Sequence, residues 1–165
     1  MYTRAAQELD LADIVDLLNL EIRDGVAHFG TQPLDLDSFT TDWLGQCERY
    51  PWLVCREQSD DTFLGFAKSG PWKSRGAYAQ SVEISVYLVE AARKRGAASW
   101  MYGELFELLW TAGFRTVCAG ITLPNPASVK LHERHGMKHV GTFERIGYKA
   151  GQWRDVGYWI RHLDE

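Results

Sequence analysis

Long apolar runs are missing: nothing in the 165 residues approaches the ~20 consecutive apolar positions of a membrane-spanning helix. The first residues also lack the basic-then-apolar pattern of an export signal, so the expectation is a soluble protein that is not exported. Cysteine is scarce. Cys47, Cys55 and Cys118 are odd in number, widely spaced and set among apolar neighbours, which argues against a disulfide framework and reads as buried free thiols in a reducing cytoplasm. No large charge excess exists either: the net charge is −4 and the isoelectric point about 5.7. That balance argues against broad binding to nucleic acid or anionic membrane, and leaves room for a local cationic pocket. Linkers, low-complexity tracts and internal repeats are lacking as well. Residues 1–165 therefore read as a single domain, long enough to bury a core without disulfides or metal.

What is present alternates between strand and helix patterns. Residues 2–6 read as a first strand, and Asp10 as the cap of a helix with Leu11, Ile14, Val15, Leu18 and Ile22 on one face and Gly25 at its end. The stretch 26–33, punctuated by Gly and Pro, reads as a loop carrying His28 and Phe29. A second helix is predicted over 38–49, then strands over 52–57 and 62–69 around a polar turn. A loop with Gly, Pro and Arg leads to a long strand over 77–89, a helix over 95–112 ended by Gly113, and a strand over 115–123. Strand, helix, strand implies a right-handed parallel crossover. A short helix over 127–134 and two apolar-rich strands, 137–148 and 153–162, complete the chain. The expected fold class is mixed α/β, a central twisted mixed sheet flanked by helices on both faces.

Chemistry concentrates between residues 81 and 99. Glu83 is the one residue of an otherwise β-branched and aromatic strand whose charge is costly to bury. Arg93, Lys94 and Arg95 then precede Gly96, Ala97 and Ala98, whose minimal side chains allow a ligand to approach the backbone at the start of a helix. Bare N–H groups there, flanked by cations, suit a phosphate.

With these residues in hand, the chain resembles the GCN5-related N-acetyltransferase superfamily, and within it the phosphinothricin and methionine sulfone acetyltransferase family. The run Arg93-Lys94-Arg95-Gly96-Ala97-Ala98 satisfies the superfamily's (Q/R)-x-x-G-x-(G/A) motif, with Ala98 in place of the commoner Gly. The closer match lies in Y-P-W-L-V from Tyr50, G-P-W-K-S-R-G-A-Y from Gly70, V-E-I-S-V-Y from Val82, L-P-N-P-A-S-V-K-L-H-E from Leu123 and G-Y-K-A-G-Q-W-R-D-V from Gly147. Met137 stands where an aromatic usually follows Gly136, and the first 50 residues match only loosely.

The resemblance implies acetyl-CoA as co-substrate, no metal, a homodimer, and acetyl transfer to the α-amino group of a small amino acid analogue such as phosphinothricin, with herbicide resistance as a corollary. Backbone N–H groups of Lys94, Arg95, Gly96, Ala97, Ala98 and Ser99 would hold the pyrophosphate. Backbone of Val86, Tyr87 and Leu88 would pair with the pantetheine arm, helped by the Asn125 amide. Glu83 is the general-base candidate and His132, in L-H-E-R, the candidate acid for the thiolate or a second base. Arg75 and Tyr78 are candidates for the substrate's anionic group and Phe29 for its side chain. Plainer alternatives stand beside these: Glu83 paired with Arg75, His132 on a helix surface, Asn125 as a cap, Arg75 as a solvated charge and Phe29 as core. Other readings are the same chemistry on a protein N-terminus or polyamine, or an acyl-CoA-binding module without catalysis. Glu83 and His132 both being present weighs against the last.

Overall fold

The computed structural model describes residues 1–163. Its strands are β1 (Tyr2–Ala5), β2 (Trp52–Arg56), β3 (Phe63–Pro71), β4 (Ser81–Leu88), β5 (Thr116–Leu123), β6 (Lys138–Lys149) and β7 (Gln152–His162). They form one sheet in the order β1-β2-β3-β4-β5-β7-β6. The helices are α1 (Leu11–Asp24), α2 (Leu36–Leu44), α3 (Ala97–Thr111) and α4 (Pro126–Arg134). Strand pleating decides what each face meets. On β2, Leu53 and Cys55 join Tyr102, Leu105 and Leu109 of α3, whereas Trp52 and Val54 join Leu11, Ile14 and Leu18 of α1. The sheet therefore carries helices on both faces, as expected.

Asp10 does more than open α1, and not in the way expected. Its side chain makes no cap bond to that helix. Instead its fully buried carboxylate accepts hydrogen bonds from Arg4 at 2.6 and 2.8 Å, from Arg56 at 2.7 Å and from the Gln7 backbone at 2.8 Å. Burial is the largest influence on this carboxyl and raises its pKa; the bonds from Arg4, Gln7 and Arg56 together outweigh it and hold it below the usual value.

Most boundaries shift by a residue or two, and three of the shifts have a local cause. Asp35 accepts from the Ser38 N–H at 2.9 Å, so α2 begins at Leu36 and gives way at Gly45 to turns rather than running to 49. Gly76–Tyr78 form a single 3-10 turn, which delays β4 to Ser81. Lys94 at φ 62° and Gly96 at φ 88° occupy left-handed backbone, so α3 cannot start before Ala97. Cys55 and Cys118 are buried free thiols, while Cys47 is only half-buried.

One relationship in the sheet positions everything that follows. β4 pairs antiparallel with β3 from Val82 to Leu88, but parallel with β5 only where Ser81–Glu83 meet Thr116–Cys118. Past Glu83 the two strands part, and the backbone of Ile84 to Leu88 has no ladder partner on that side among the described residues.

Candidate active site

Where β4 and β5 part, a cleft of about 1130 Å³ opens. Ser85 to Leu88 form one wall, Gly96 to Ser99 another, and Asn125, Ser128 and His132 a third. No side chain caps α3, so its first-turn N–H groups remain available at the positive end of a 15-residue helix. Gly96 is required by its left-handed φ alone, since nothing lies within 4 Å of a Cβ built there. The cationic cluster read from the sequence is divided. Arg95 pairs with Glu57 at 2.7 Å away from the cleft, whereas Arg93, paired with Glu21 at 3.2 Å, lines the cleft together with Lys94, Lys130 and Arg134. Bare N–H groups, an unpaired strand edge and these cations suit an extended thioester bearing a pyrophosphate.

Glu83 is the last β4 residue paired with β5, at the apex where the strands part, one position before the cleft lining begins at Ile84. It forms no ion pair among the described residues, with Arg75 or any other cation. Burial, opposed by the weaker pull of Lys68 and Lys73, raises its pKa above the usual carboxylate value. Register places Cys118 beside it on β5. Burial and the Glu83 charge push that thiol up to about 11, which leaves it a thiol near neutrality. Gly120 follows on the same face. A Cβ there would lie 3.5 Å from Glu83 Oε1 and 3.2 Å from the Tyr158 ring.

His132 is not on the helix surface; it is 4% exposed. Its Nδ1 lies 2.7 Å from the Ser128 carbonyl, which can only accept, so Nδ1 carries the proton. Nε2 is then the lone-pair nitrogen, and the Tyr102 hydroxyl donates to it across 3.0 Å. Burial lowers the His132 pKa, so the ring rests neutral near pH 7. Burial also pushes the Tyr102 hydroxyl far above its usual value. Sequence periodicity hides Tyr102, because a tyrosine in the apolar stripe of α3 reads as core.

Asn125 combines the two roles considered for it. Its Oδ1 accepts from the Ser128 N–H at 3.1 Å and caps α4, while the residue also lines the cleft. The amide NH₂ has no partner among the described residues.

The proposed substrate residues are dispersed. Arg75 and Tyr78 are exposed on the 3-10 turn before β4, and neither lines the cleft. Phe29 is 39% exposed and lies over Gly147 of β6, where a Cβ would collide with its ring. Lys149 anchors that loop: its buried ammonium donates to the Ile22 carbonyl at 2.6 Å and to the Gly30 carbonyl at 2.5 Å. The G-Y-K segment thus fixes the Phe29 loop from across the molecule.

A sheet that splays beside a helix N-terminus, with a carboxylate at the apex and a buried His–Tyr pair on one wall, defines an acyl-CoA-dependent acyltransferase. The sequence profile described as Acetyltransferase (GNAT) domain matches residues 4–157. The chain is 37% identical to phosphinothricin N-acetyltransferase of Streptomyces viridochromogenes over 98% of this chain and 87% of that one. It is 29% identical to the L-methionine sulfoximine/L-methionine sulfone acetyltransferase of Salmonella typhimurium over 100% and 96%. A phosphinothricin acetyltransferase from Sinorhizobium meliloti, solved with acetyl-CoA, superposes with a TM-score of 0.94 at 28% identity, covering 98% of this chain and 88% of that one. The chain belongs to the GNAT acetyltransferase family.

Proposed function

We propose that this acetyltransferase moves acetyl from acetyl-CoA to the α-amino group of a small amino acid analogue of the phosphinothricin or methionine sulfone type, which would confer resistance to that herbicide. The observation that carries the reading is the parting of β4 from β5 immediately after Glu83, which sets a desolvated carboxylate where an unpaired strand edge opens toward the α3 N-terminus.

Glu83 takes a proton from the substrate ammonium, directly or through water. The free amine then attacks the thioester carbon, and backbone N–H groups of the unpaired β4 edge stabilise the oxyanion. Collapse forms the amide, breaks the C–S bond and sends the remaining ammonium proton to the thiolate. His132 serves that second transfer. At rest its Nε2 lone pair accepts from the Tyr102 hydroxyl, so His132 takes up the proton and passes it to sulfur through that hydroxyl, and its lowered pKa makes the imidazolium a ready donor. Lys94 to Ser99 hold the pyrophosphate through their N–H groups, Val86 to Leu88 pair with the pantetheine arm and the free Asn125 NH₂ bonds it. Phe29 walls the substrate side chain, and Arg75 and Tyr78, exposed before β4, are assigned to its distal anionic group.

The chain acts as one domain, in the cytoplasm, where its free thiols stay reduced, and as a homodimer. Support for the dimer comes from Val140, Phe143, Ile146, Tyr148 and Trp153 of the β6–β7 hairpin, each between 53% and 60% exposed. Release of free CoA thiol from acetyl-CoA across a panel of amines tests the function. Turnover confined to α-amino acids bearing a second anionic or sulfone-like group supports it; acetyl-CoA binding with no turnover of any amine overturns it.

A further inference from the structure

Lys68 is the only charged side chain within β3, between Ala67 and Ser69. Register sets it in one row across three strands, opposite Trp52 on β2 and opposite Ser85 on β4. Directly paired residues share a face, so Lys68 emerges on the face that carries Glu83, which is paired with Gly70 two positions along. Glu83 is therefore its diagonal cross-strand neighbour. The Lys68 stem lies along Trp52, with the ammonium 5.2 Å from the ring centroid.

The cation and the carboxylate share this face without touching. Lys68 makes no ion pair and no hydrogen bond among the described residues, and Glu83 makes none either. Lys68 is half-buried, and burial lowers its pKa although the Glu83 charge raises it, so the protein answers only part of the ammonium's charge. Ser85, directly opposite Lys68 and two positions beyond Glu83 on β4, lines the cleft. Two opposite charges on one face, neither in an ion pair, match a molecule carrying both signs on adjacent groups. An α-amino acid does so, its ammonium and carboxylate being joined through one carbon.

We propose that Lys68 receives the α-carboxylate of the acyl acceptor, so that Lys68 and Glu83 together select an α-amino acid zwitterion and aim its nitrogen at the thioester. The proposal rests on the acetyl-transfer reading above, and it gives the α-carboxylate a partner distinct from Arg75, which is left to the substrate's distal end. A polyamine or amino amide would place an ammonium or a neutral group against the Lys68 charge instead, and is excluded by repulsion or by an unanswered cation.

The test compares L-methionine sulfone with its α-carboxamide in wild type, Lys68→Met and Lys68→Arg, with melting temperatures and acetyl-CoA KM measured for each. Wild type should favour the acid by about 10²-fold in kcat/KM, as expected where a buried charged group is otherwise left unpaired. Lys68→Met should abolish that preference by raising KM for the acid alone, and Lys68→Arg should keep most of it. Should Lys68→Met not fold, Lys68→Gln replaces it, and the wild-type comparison decides by itself: equal use of acid and carboxamide overturns the proposal. Equal loss for both compounds in Lys68→Met also overturns it and leaves Lys68 as packing for Trp52. No turnover of either compound by wild type overturns the underlying function, and this inference with it.

Discussion

The Tyr102 hydroxyl lies 3.0 Å from Nε2 of His132, and because the Ser128 carbonyl holds the proton on Nδ1, the hydroxyl donates to a ring that rests neutral. A bond given to a lone pair stabilises the unprotonated form, so removing it raises the ring's basicity. Tyr102→Phe should shift the histidine limb of the pH profile of kcat to higher pH and lower kcat by about tenfold. Acetyl-CoA KM should hold. A changed acetyl-CoA KM with an unmoved profile would make the pair a packing contact.

Gly147 leaves the space that the Phe29 ring fills. Gly147→Ala forces the ring away while leaving Glu83 and His132 in place. KM for the amino acid should rise by about tenfold with acetyl-CoA KM unaltered, if Phe29 walls the substrate. Unaltered kinetics would return Phe29 to a role in packing alone.

Asp10 ties β1, β2 and the start of α1 through Arg4 and Arg56. Its folded pKa is depressed, so its stabilisation is complete above the unfolded value of about 3.9 and is lost as pH falls through the folded value. Asp10→Ala leaves the Arg56 guanidinium buried against only Asp13 and the more distant Asp61, and should cost about 3–5 kcal/mol in urea unfolding at pH 7. The gap from wild type should narrow below about pH 4. A constant gap would show that Asp10 stabilises through shape and not charge.

Ile146 and Val140 are exposed on β6, one of the two edge strands of the sheet. Val140→Asp with Ile146→Asp should halve the mass seen in sedimentation velocity without changing the helix signal in circular dichroism. A wild type that is already monomeric at micromolar concentration contradicts the dimer.

Much of this molecule was legible before its coordinates. A β-branched and aromatic run followed by punctuation at Gly96 and Gly113 located β4, α3 and β5, and the small residues at 96–98 marked the start of α3, which no side chain caps. Other features escaped because they arise from register and not from composition. Lys68 is one charge in a short strand, and only pairing with Trp52 and Ser85 reveals that it faces Glu83. Tyr102 lies on the same apolar stripe as Met101 and Leu105, and only the approach of α4 turns it toward His132. Arg93 and Arg95 read as cations flanking the helix start, but Glu21 and Glu57, far away in sequence, pair with them, and of the two only Arg93 lines the cleft.

In the proposed reaction Glu83 accepts the proton that the substrate ammonium must lose before its nitrogen attacks the thioester. The kcat/KM of Glu83→Gln across pH tests it most directly. Because burial raises the Glu83 pKa, wild-type kcat/KM should climb with pH as this carboxyl ionises. The variant should lose about 10²-fold or more near neutrality, lack that limb, and recover toward wild type at high pH, where the amine is already free. A loss of the same size at every pH, accompanied by a lower melting temperature, would contradict the account and make Glu83 a structural residue of β4.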